Sequence, residues 1–211
     1  MLHKETVDNE LLKLTCELLK QPALEKFVLV GGTALSLQIG HRRSIDIDLF
    51  SSTPFNVEEM VSFLQNEFDF SNQNQFKNSL LGSIRNIKVD IISHQYAWLK
   101  PALEEDGLRM AGLEDIAAMK LNAIVGNGSR LKDFVDIAYL TSRFSLQQML
   151  QFYETKYPLN NSMMAIKSLN WFDDINFDVD IQYTNNSISW TLIKSRIIEM
   201  IQQPQQLFAA L

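Results

Sequence analysis

A short apolar run that ends in a pair of glycines is the feature of this sequence that most constrains its fold. Residues 27–30 read Phe-Val-Leu-Val, which is typical of a fully buried strand, and Gly31 and Gly32 close the run. Residues 33–38 then predict a short helix. Residues 44–50 read Ser-Ile-Asp-Ile-Asp-Leu-Phe, and this alternation predicts a second strand. The unit therefore predicts a sheet packed against helices.

The rest of the chain extends this unit to a mixed α/β protein of the α+β kind, with a small sheet flanked by helices and a helical C-terminal part. The further predicted elements are a helix over 5–20, a helix over 58–68 capped by Asn56, strands near 80–84 and 87–92, and helices over 113–125, 131–142, 145–156, 162–169 and 190–202. The predicted boundary lies near 142–157. We therefore expect a sheet domain over 1–142 and a helical region over 143–211, which can pack as part of the same domain.

Composition places the chain among ordinary globular proteins. Of its 211 residues, 46% are hydrophobic and 21% are charged, which suffices to bury a core without disulfides. A single cysteine, Cys16, excludes an internal disulfide and a multi-cysteine metal site. The net charge of −6 argues against a general nucleic-acid coat, because attraction to phosphate needs positive charge. Without a signal-peptide run or a long apolar stretch, we expect a soluble cytoplasmic protein with no membrane partner.

Asp46 and Asp48 are the first candidate site residues. They lie two apart on a predicted strand, so both side chains point to the same face, about 6.5–7 Å apart along the backbone. Ile45, Ile47 and Leu49 form the opposite face of the strand, which is predicted to be buried. An Asp-x-Asp pair alone indicates little more than a polar surface strand. Gly31 and Gly32 strengthen it, because glycines allow close approach to a ligand and a helix N-terminus favours an anion such as a triphosphate.

Asp90 is the third candidate carboxylate, within the strand predicted over 87–92. An aspartate among apolar residues is costly to bury unless it is paired or binds a metal. The structural alternative is an ion pair with Arg85, Lys88 or Arg109. Together, the three acids match the hard oxygen ligands of a centre with two Mg²⁺ ions, with Mn²⁺ as the alternative ion.

Two blocks of sequence resemble a known family. The first block is GGTAL over 31–35 followed by GHRRSIDIDLF over 40–50, and the second is GLEDI over 112–116, then Lys120, then RLKDFVDI over 130–137. Both blocks resemble the AbiEii/AbiGii-type nucleotidyltransferase toxin family of the polymerase-beta-like nucleotidyltransferase superfamily. The resemblance covers about residues 27–142.

The resemblance implies an enzyme that moves a nucleoside monophosphate from a nucleoside triphosphate to an acceptor hydroxyl and releases pyrophosphate. It implies the catalytic residues Asp46, Asp48, Lys120 and Asp133, with Asp136 as the alternative to Asp133. It implies the metal ligands Asp46, Asp48 and Asp90. The nucleotide-binding positions are then Gly31, Gly32, Thr33, Arg42, Ser44 and Lys120. Without the resemblance, Lys120 would be interpreted as a solvated helix residue, and Asp133 and Asp136 as an exposed helix face.

Members of the family commonly act as the toxin of a type IV system beside a separately encoded DNA-binding antitoxin, and some modify the tRNA acceptor end. The implied partners are therefore a nucleoside triphosphate, tRNA or another macromolecule, and an antitoxin. One alternative is a small-molecule, antibiotic-type nucleotidyltransferase, because cationic small molecules suit an acidic cleft. The other is a non-catalytic nucleotide- or partner-binding module, which would tie Asp46 or Asp48 into arginine pairs.

Overall fold

The computed structural model describes residues 1–184 and 188–211, and the chain forms two compact units. Unit 1 is Met1–Gly112 and contains the sheet, whereas unit 2 is Leu113–Leu211 and is helical. The predicted mixed α/β class is confirmed. The units divide at Gly112 rather than near 142–157, because the helix that follows Gly112 packs against later helices of its own unit.

One mixed sheet of seven strands lies in unit 1, all of it within the described part of the chain. The strands are β1 (Val28–Leu29), β2 (Ile47–Ser51), β3 (Ser71–Phe76), β4 (Ser79–Ile84), β5 (Ile87–Ser93), β6 (Leu103–Glu105) and β7 (Leu108–Met110). Their order is β3-β4-β5-β2-β1-β7-β6. The pairs β2–β5 and β1–β7 are parallel, and the other neighbours are antiparallel. The strand β2 is the fourth of the seven and lies between β5, its parallel neighbour, and β1, its antiparallel neighbour.

Three α-helices, together with short 3-10 helices at Lys4–Thr6 and Pro22–Leu24, complete unit 1: α1 (Asn9–Leu19), α2 (Gly31–Ile39) and α3 (Val57–Phe68). The predicted cap of α3 is present, because Asn56 Oδ1 accepts hydrogen bonds from the amides of Glu58 and Glu59 at 3.0 and 3.2 Å. The predicted helix over 5–20 is shorter, since Asp8 caps its start. α2 begins at Gly31 itself. The glycine pair is therefore the first turn of the helix and not a turn that precedes it.

The two faces of the sheet differ in exposure. In β2, Ile47 and Leu49 are fully buried, whereas Asp48 and Phe50 are half-buried on the other face, which we call the open face. The prediction that Ile45 is buried is wrong, because its exposed fraction is 65%. The strand begins at Ile47, so Ile45 lies before the alternation starts.

Unit 2 contains the helices α4 (Leu113–Gly126), α5 (Leu131–Leu140), α6 (Leu146–Lys156), α7 (Ser162–Leu169) and α8 (Trp190–Gln202). A capping box at Ser145 and Gln148 begins α6, since each side chain bonds the other residue's backbone amide. The buried core of the unit includes Leu121, Phe134 and Tyr153. In the two described stretches of the chain, no helix has the length and apolar character needed to cross a bilayer.

Candidate active site

The start of α2 lies beside the strand that carries Asp48. The Val30 amide donates a hydrogen bond of 2.9 Å to the Asp48 carbonyl oxygen, which holds the end of β1 against β2. Val30 is the N-cap residue of α2 and, among the described residues, supplies no side-chain hydrogen bond to the first turn. A helix start of this kind presents backbone N–H groups and the positive end of the helix dipole to an anion. The geometry therefore suits a phosphate group at Gly31 and Gly32.

Both glycines allow a charged side chain to approach the helix start. A Cβ on Gly31 would lie 2.2 Å from Asp48 Oδ2, and the φ of Gly31 is 69°. A Cβ on Gly32 would lie 2.5 Å from Arg42 Nη2 and 3.4 Å from Ser44 Oγ. The predicted positions 31, 32, 42, 44 and 48 thus converge around the first turn of α2.

Thr33 and Ser44 hold the segment that leads to Asp46. The Thr33 hydroxyl is buried and hydrogen bonds with Ser44 Oγ at 2.8 Å and with the Asp46 carbonyl oxygen. The Ser44 amide donates to the Thr6 carbonyl oxygen at 2.9 Å. Both hydroxyl side chains therefore position the backbone of Asp46, and that is the role the geometry gives them beside the predicted nucleotide binding.

Asp48 and Asp90 lie side by side on the open face. They are Cα partners in the parallel β2–β5 pair, so their side chains project to the same side of the sheet. Asp46 lies two residues before Asp48, just ahead of β2. Asp46 and Asp48 are half-buried, whereas Asp90 is only 8% exposed.

Lys88 lies among these three acids. Its Nζ is 2.7 Å from Asp90 Oδ2. Burial by itself lowers the pKa of Lys88, but the hydrogen bond to Asp90 and the charges of Asp90, Asp48 and Asp46 outweigh it and raise the pKa above its ordinary value. The Lys88 ammonium thus interacts electrostatically with all three predicted metal ligands.

Of the three predicted ion-pair partners of Asp90, one contacts it in the structure and two have other partners. Lys88 is the partner, whereas Arg85 pairs with Glu17 at 3.0 Å. The Arg109 guanidinium donates to the backbone carbonyl oxygens of Leu24 and Phe27 at 2.9 and 2.8 Å. Lys88 was therefore identifiable from its spacing, because residues i and i+2 of a strand share one face.

The acids fit a divalent cation by their chemistry and by one unsatisfied atom. Asp90 Oδ1 is buried and has no hydrogen-bond partner among the described residues, and such an oxygen is costly unless something binds it. Carboxylate oxygens are the ligands that Mg²⁺ prefers. As the side chains lie, however, no group of three or more Asp, Glu, His and Cys residues in the described chain is arranged to hold a metal ion. Coordination by all three acids therefore requires their side chains to shift.

The three predicted residues of unit 2 form a buried ion cluster. Lys120 Nζ lies 2.6 Å from Asp133 Oδ1 and 2.7 Å from Asp136 Oδ2. Their side chains are 7%, 1% and 0% exposed, so the interpretation of all three as solvated helix residues is wrong. Arg130 Nε lies 3.3 Å from Asp133 Oδ2. The cluster joins α4 to α5, and contact between Lys120 and a triphosphate stays a prediction.

A second buried ion pair was not predicted from the sequence. Lys156 Nζ lies 2.7 Å from Asp115 Oδ1, and both side chains are 0% exposed. The pair ties the end of α6 to the first turn of α4, the helix that carries Lys120. The two residues are 41 positions apart, so no local pattern connects them. The one available signal was Asp115 itself, an acid in a segment with an apolar periodicity.

Comparisons with known proteins identify the family to which the chain belongs. Residues 13–201 match the family described as nucleotidyl transferase AbiEii toxin, type IV TA system. The uncharacterized protein aq_aa25 of Aquifex aeolicus (strain VF5) is 32% identical over 159 residues, which cover 72% of this chain and 77% of that protein.

Two solved structures from Helicobacter pylori share the fold. One is described as a nucleotidyltransferase, with a TM-score of 0.58 and 17% identity over 95% of this chain and 92% of that chain. The other is JHP933, with a TM-score of 0.54 and 16% identity over 93% and 92% of the two chains. Because the family match extends through both compact units, this chain belongs to the nucleotidyl transferase AbiEii toxin family.

Proposed function

We propose that this protein is a divalent-metal-dependent nucleotidyltransferase that transfers a nucleoside monophosphate to a hydroxyl group of RNA, with tRNA as the first acceptor to test. The observation that carries the proposal is the position of Asp48. Its carboxylate lies over the first turn of α2, and its Cα partner on the neighbouring strand is Asp90. An anion site and a carboxylate pair are thus adjacent, which is what nucleotidyl transfer from a triphosphate requires.

In this proposal the triphosphate binds at the start of α2. The backbone amides of the first turn, at Gly31 and Gly32, donate hydrogen bonds to phosphate oxygens. Arg42 is buried with its Nη2 close to Gly32, so its positive charge adds to the field at the same point. Thr33 and Ser44 keep the backbone of Asp46 in place through their hydrogen bonds.

Asp46, Asp48 and Asp90 would hold the divalent ions, with Mg²⁺ expected and Mn²⁺ as the alternative. When bound, such ions activate the acceptor hydroxyl and neutralise the charge of the leaving pyrophosphate. The acceptor oxygen forms a bond to the α-phosphorus, and its proton passes to a neighbouring base. The bond from the α-phosphorus to the oxygen that bridges to the β-phosphate breaks, and pyrophosphate leaves. The transfer needs no covalent intermediate on the protein.

The family resemblance implies that Lys120 contacts the triphosphate, and that role is kept here as an expectation. Its ammonium is held between Asp133 and Asp136, so its direction is set by two carboxylates and its charge occupies a defined place in unit 2. Asp133 then acts by orienting Lys120. A separately encoded antitoxin is the expected protein partner, because the family description is that of a toxin in a type IV system.

The test is transfer of label from α-labelled nucleoside triphosphates to bulk tRNA in the presence of Mg²⁺. We expect wild-type protein to label RNA and the Asp46→Asn and Asp48→Asn variants to lose nearly all transfer. Asp180→Asn is the matched control, because Asp180 is exposed and lies in unit 2. It should transfer label as the wild type does.

Three other outcomes are informative. Transfer that persists in both Asp46→Asn and Asp48→Asn would contradict the assignment of the carboxylates. Metal-dependent triphosphate binding without labelled RNA would move the acceptor to a small molecule. Absence of triphosphate binding would contradict the enzymatic proposal itself.

A further inference from the structure

Aromatic side chains lie on the open face beside the carboxylates. Phe50 follows Asp48 by two residues in β2, so both side chains share that face. Phe50 is the Cα partner of Ile92 in β5, just as Asp48 is the partner of Asp90. Phe50 therefore lies two residues further along the sheet than the Asp48–Asp90 pair, about 6.5–7 Å away.

Three rings in this region form a continuous group, which we call the aromatic shelf: Phe50, His94 and Tyr96. The centroids of Phe50 and His94 are 5.5 Å apart with planes tilted by 38°, and those of His94 and Tyr96 are 4.9 Å apart with a tilt of 48°. The His94 amide donates a hydrogen bond of 2.7 Å to the Ser51 carbonyl oxygen. This bond fixes the segment after β5 alongside the end of β2, so the shelf is attached to the sheet.

The shelf is accessible, although the rings are large and partly apolar. Tyr96 is 42% exposed, and Phe50 and His94 are half-buried. On the opposite face of the same strands, Leu49 and Ile91 are fully buried. Exposed rings grouped beside a polar site indicate a binding surface more often than scattered apolar residues do.

The positions of the triphosphate site and the aromatic shelf along β2 indicate which substrate the shelf would bind. Gly31 contacts Asp48, and the segment from Ser44 to Asp46 precedes β2, so the triphosphate site lies toward the start of that strand. The aromatic shelf lies toward its end. In phosphoryl transfer the attacking oxygen and the leaving oxygen lie roughly in line on opposite sides of the phosphorus. The shelf and the triphosphate site thus lie toward opposite ends of β2, an arrangement that is compatible with in-line attack by an acceptor bound at the shelf.

We propose that the aromatic shelf stacks the terminal nucleobase of the acceptor RNA strand, which places the hydroxyl of that nucleotide beside Asp48. The proposal rests on the proposed function, because it takes the acceptor to be a nucleic acid. Base stacking on aromatic rings tolerates every base. The exposed Lys77 precedes Asn78, whose carbonyl oxygen accepts a hydrogen bond of 2.8 Å from the Ser93 amide at the end of β5, so a positive charge lies at the same end of the sheet as the shelf. The shelf would then position the acceptor without reading its sequence.

The experiment measures binding without transfer. A short, 5′-labelled single-stranded RNA with a free 3′-hydroxyl is compared by fluorescence anisotropy with the same RNA carrying an abasic 3′-terminal residue. Tyr96→Leu should weaken binding of the intact RNA about tenfold, which is within the range for loss of one stacked base. Tyr96→Phe should bind as the wild type does, because it keeps the ring. The abasic RNA should bind wild type and Tyr96→Leu equally.

Two controls accompany these variants. Phe177→Leu removes an aromatic ring that is 51% exposed in unit 2, and it should leave RNA binding unchanged. The affinity of Tyr96→Leu for nucleoside triphosphate should equal that of the wild type, and its urea midpoint should show that it remains folded. Weaker triphosphate binding with unchanged RNA binding would overturn the proposal, since the shelf would then hold the incoming nucleotide.

Three further results would overturn the stacking proposal. Tyr96→Leu could lose equal affinity for intact and abasic RNA, or it could bind both as the wild type does. The wild type could also fail to bind RNA. Failure of the proposed function is distinguishable from these outcomes. If RNA binding depends on Tyr96 and on the terminal base as expected, yet no triphosphate yields labelled RNA, the shelf stands and the transferase proposal fails. If label is transferred to RNA but RNA affinity does not depend on Tyr96, the transferase proposal stands and the shelf proposal fails.

Discussion

The Asp48 carboxylate occupies the space that a side chain at Gly31 would need, because a Cβ there would lie 2.2 Å from Asp48 Oδ2. Gly31 also has a φ of 69°, in the left-handed region that favours glycine. Position 31 thus requires glycine for two separate reasons, its backbone conformation and the approach of Asp48. Gly107 isolates the first reason, since its φ is 80° and, apart from its two chain neighbours, no described residue has an atom within 4 Å of the Cβ position.

Gly31→Ala is therefore expected to destabilise the protein more than Gly107→Ala does. Gly107→Ala introduces backbone strain alone, about 1–2 kcal/mol. Gly31→Ala adds the steric clash with Asp48, so the urea midpoint should fall further and label transfer should be lost. In an Asp48→Ala background the clash is absent, and the added cost of Gly31→Ala should shrink to that of Gly107→Ala. The same cost in both backgrounds would show that Asp48 is not responsible.

Lys88→Met is expected to bind Mn²⁺ several-fold more tightly than the wild type. The ammonium that lies 2.7 Å from Asp90 is then gone, and Asp46, Asp48 and Asp90 lose the positive charge that Lys88 supplies. The metal-free variant should be less stable for the same reason, and Mn²⁺ should restore its unfolding midpoint.

Isothermal titration measures the affinity directly. Lys88→Arg keeps the charge and should behave as the wild type does, and Lys77→Met, which removes an exposed lysine of the same unit, is the control for net charge. Weaker Mn²⁺ binding by Lys88→Met would mean that Lys88 helps to organise the ligands and does not compete with the ion.

Helices with local signals were predicted closely from the sequence. The helices α7 and α8 have the predicted bounds, and α3 carries the predicted Asn56 cap, because periodicity and capping are properties of neighbouring residues. The strand β3 was missed. Its sequence, Ser-Asn-Gln-Asn-Gln-Phe, is exposed throughout and lacks apolar alternation, so pairing with β4 is what defines it. Edge strands of this kind depend on tertiary context.

The same distinction holds for the candidate site. Gly31, Asp46 and Asp48 were grouped from the sequence because they lie within one local strand–helix–strand unit. The register that pairs Asp48 with Asp90 spans 42 residues of chain and follows only from the assembled sheet. The resemblance singled out Lys120, Asp133 and Asp136, but their pairing was not predicted, because residues on two different helices meet only in the assembled unit.

Lys120→Met is expected to destabilise the protein by about 3–5 kcal/mol, because it leaves Asp133 and Asp136 as buried carboxylates without their shared counter-charge. Lys132→Met is the matched control. Lys132 lies on the same helix as the two acids and is half-buried, so its substitution should change the free energy of unfolding by about 0.5 kcal/mol or less. Urea unfolding followed by circular dichroism measures both. A similarly small loss of stability in the two variants would show that the ion pairs of Lys120 with Asp133 and Asp136 contribute little to the free energy of unfolding.

Tyr139 gives the protein a tyrosine that ionises late in an alkaline titration. Burial is the main cause, and the stacked ring of Tyr183, 6.4 Å away, adds to it, so the pKa of Tyr139 rises from 10.0 to about 12. The folded-state pKa is the higher one. The stability linked to this proton is therefore fully present below pH 10 and is lost as the pH rises through about 12.

Tyrosinate absorbance of the folded protein should thus show a late step near pH 12 that Tyr139→Phe lacks. In urea, all tyrosines should titrate together near pH 10, their ordinary value. Tyr183→Phe should move the late step to lower pH, because the charge on the neighbouring phenolate is removed while the packing of the ring is largely kept. A late step that survives Tyr139→Phe would assign the perturbed pKa to another tyrosine, and the stacked pair would then have no part in the alkaline stability of unit 2.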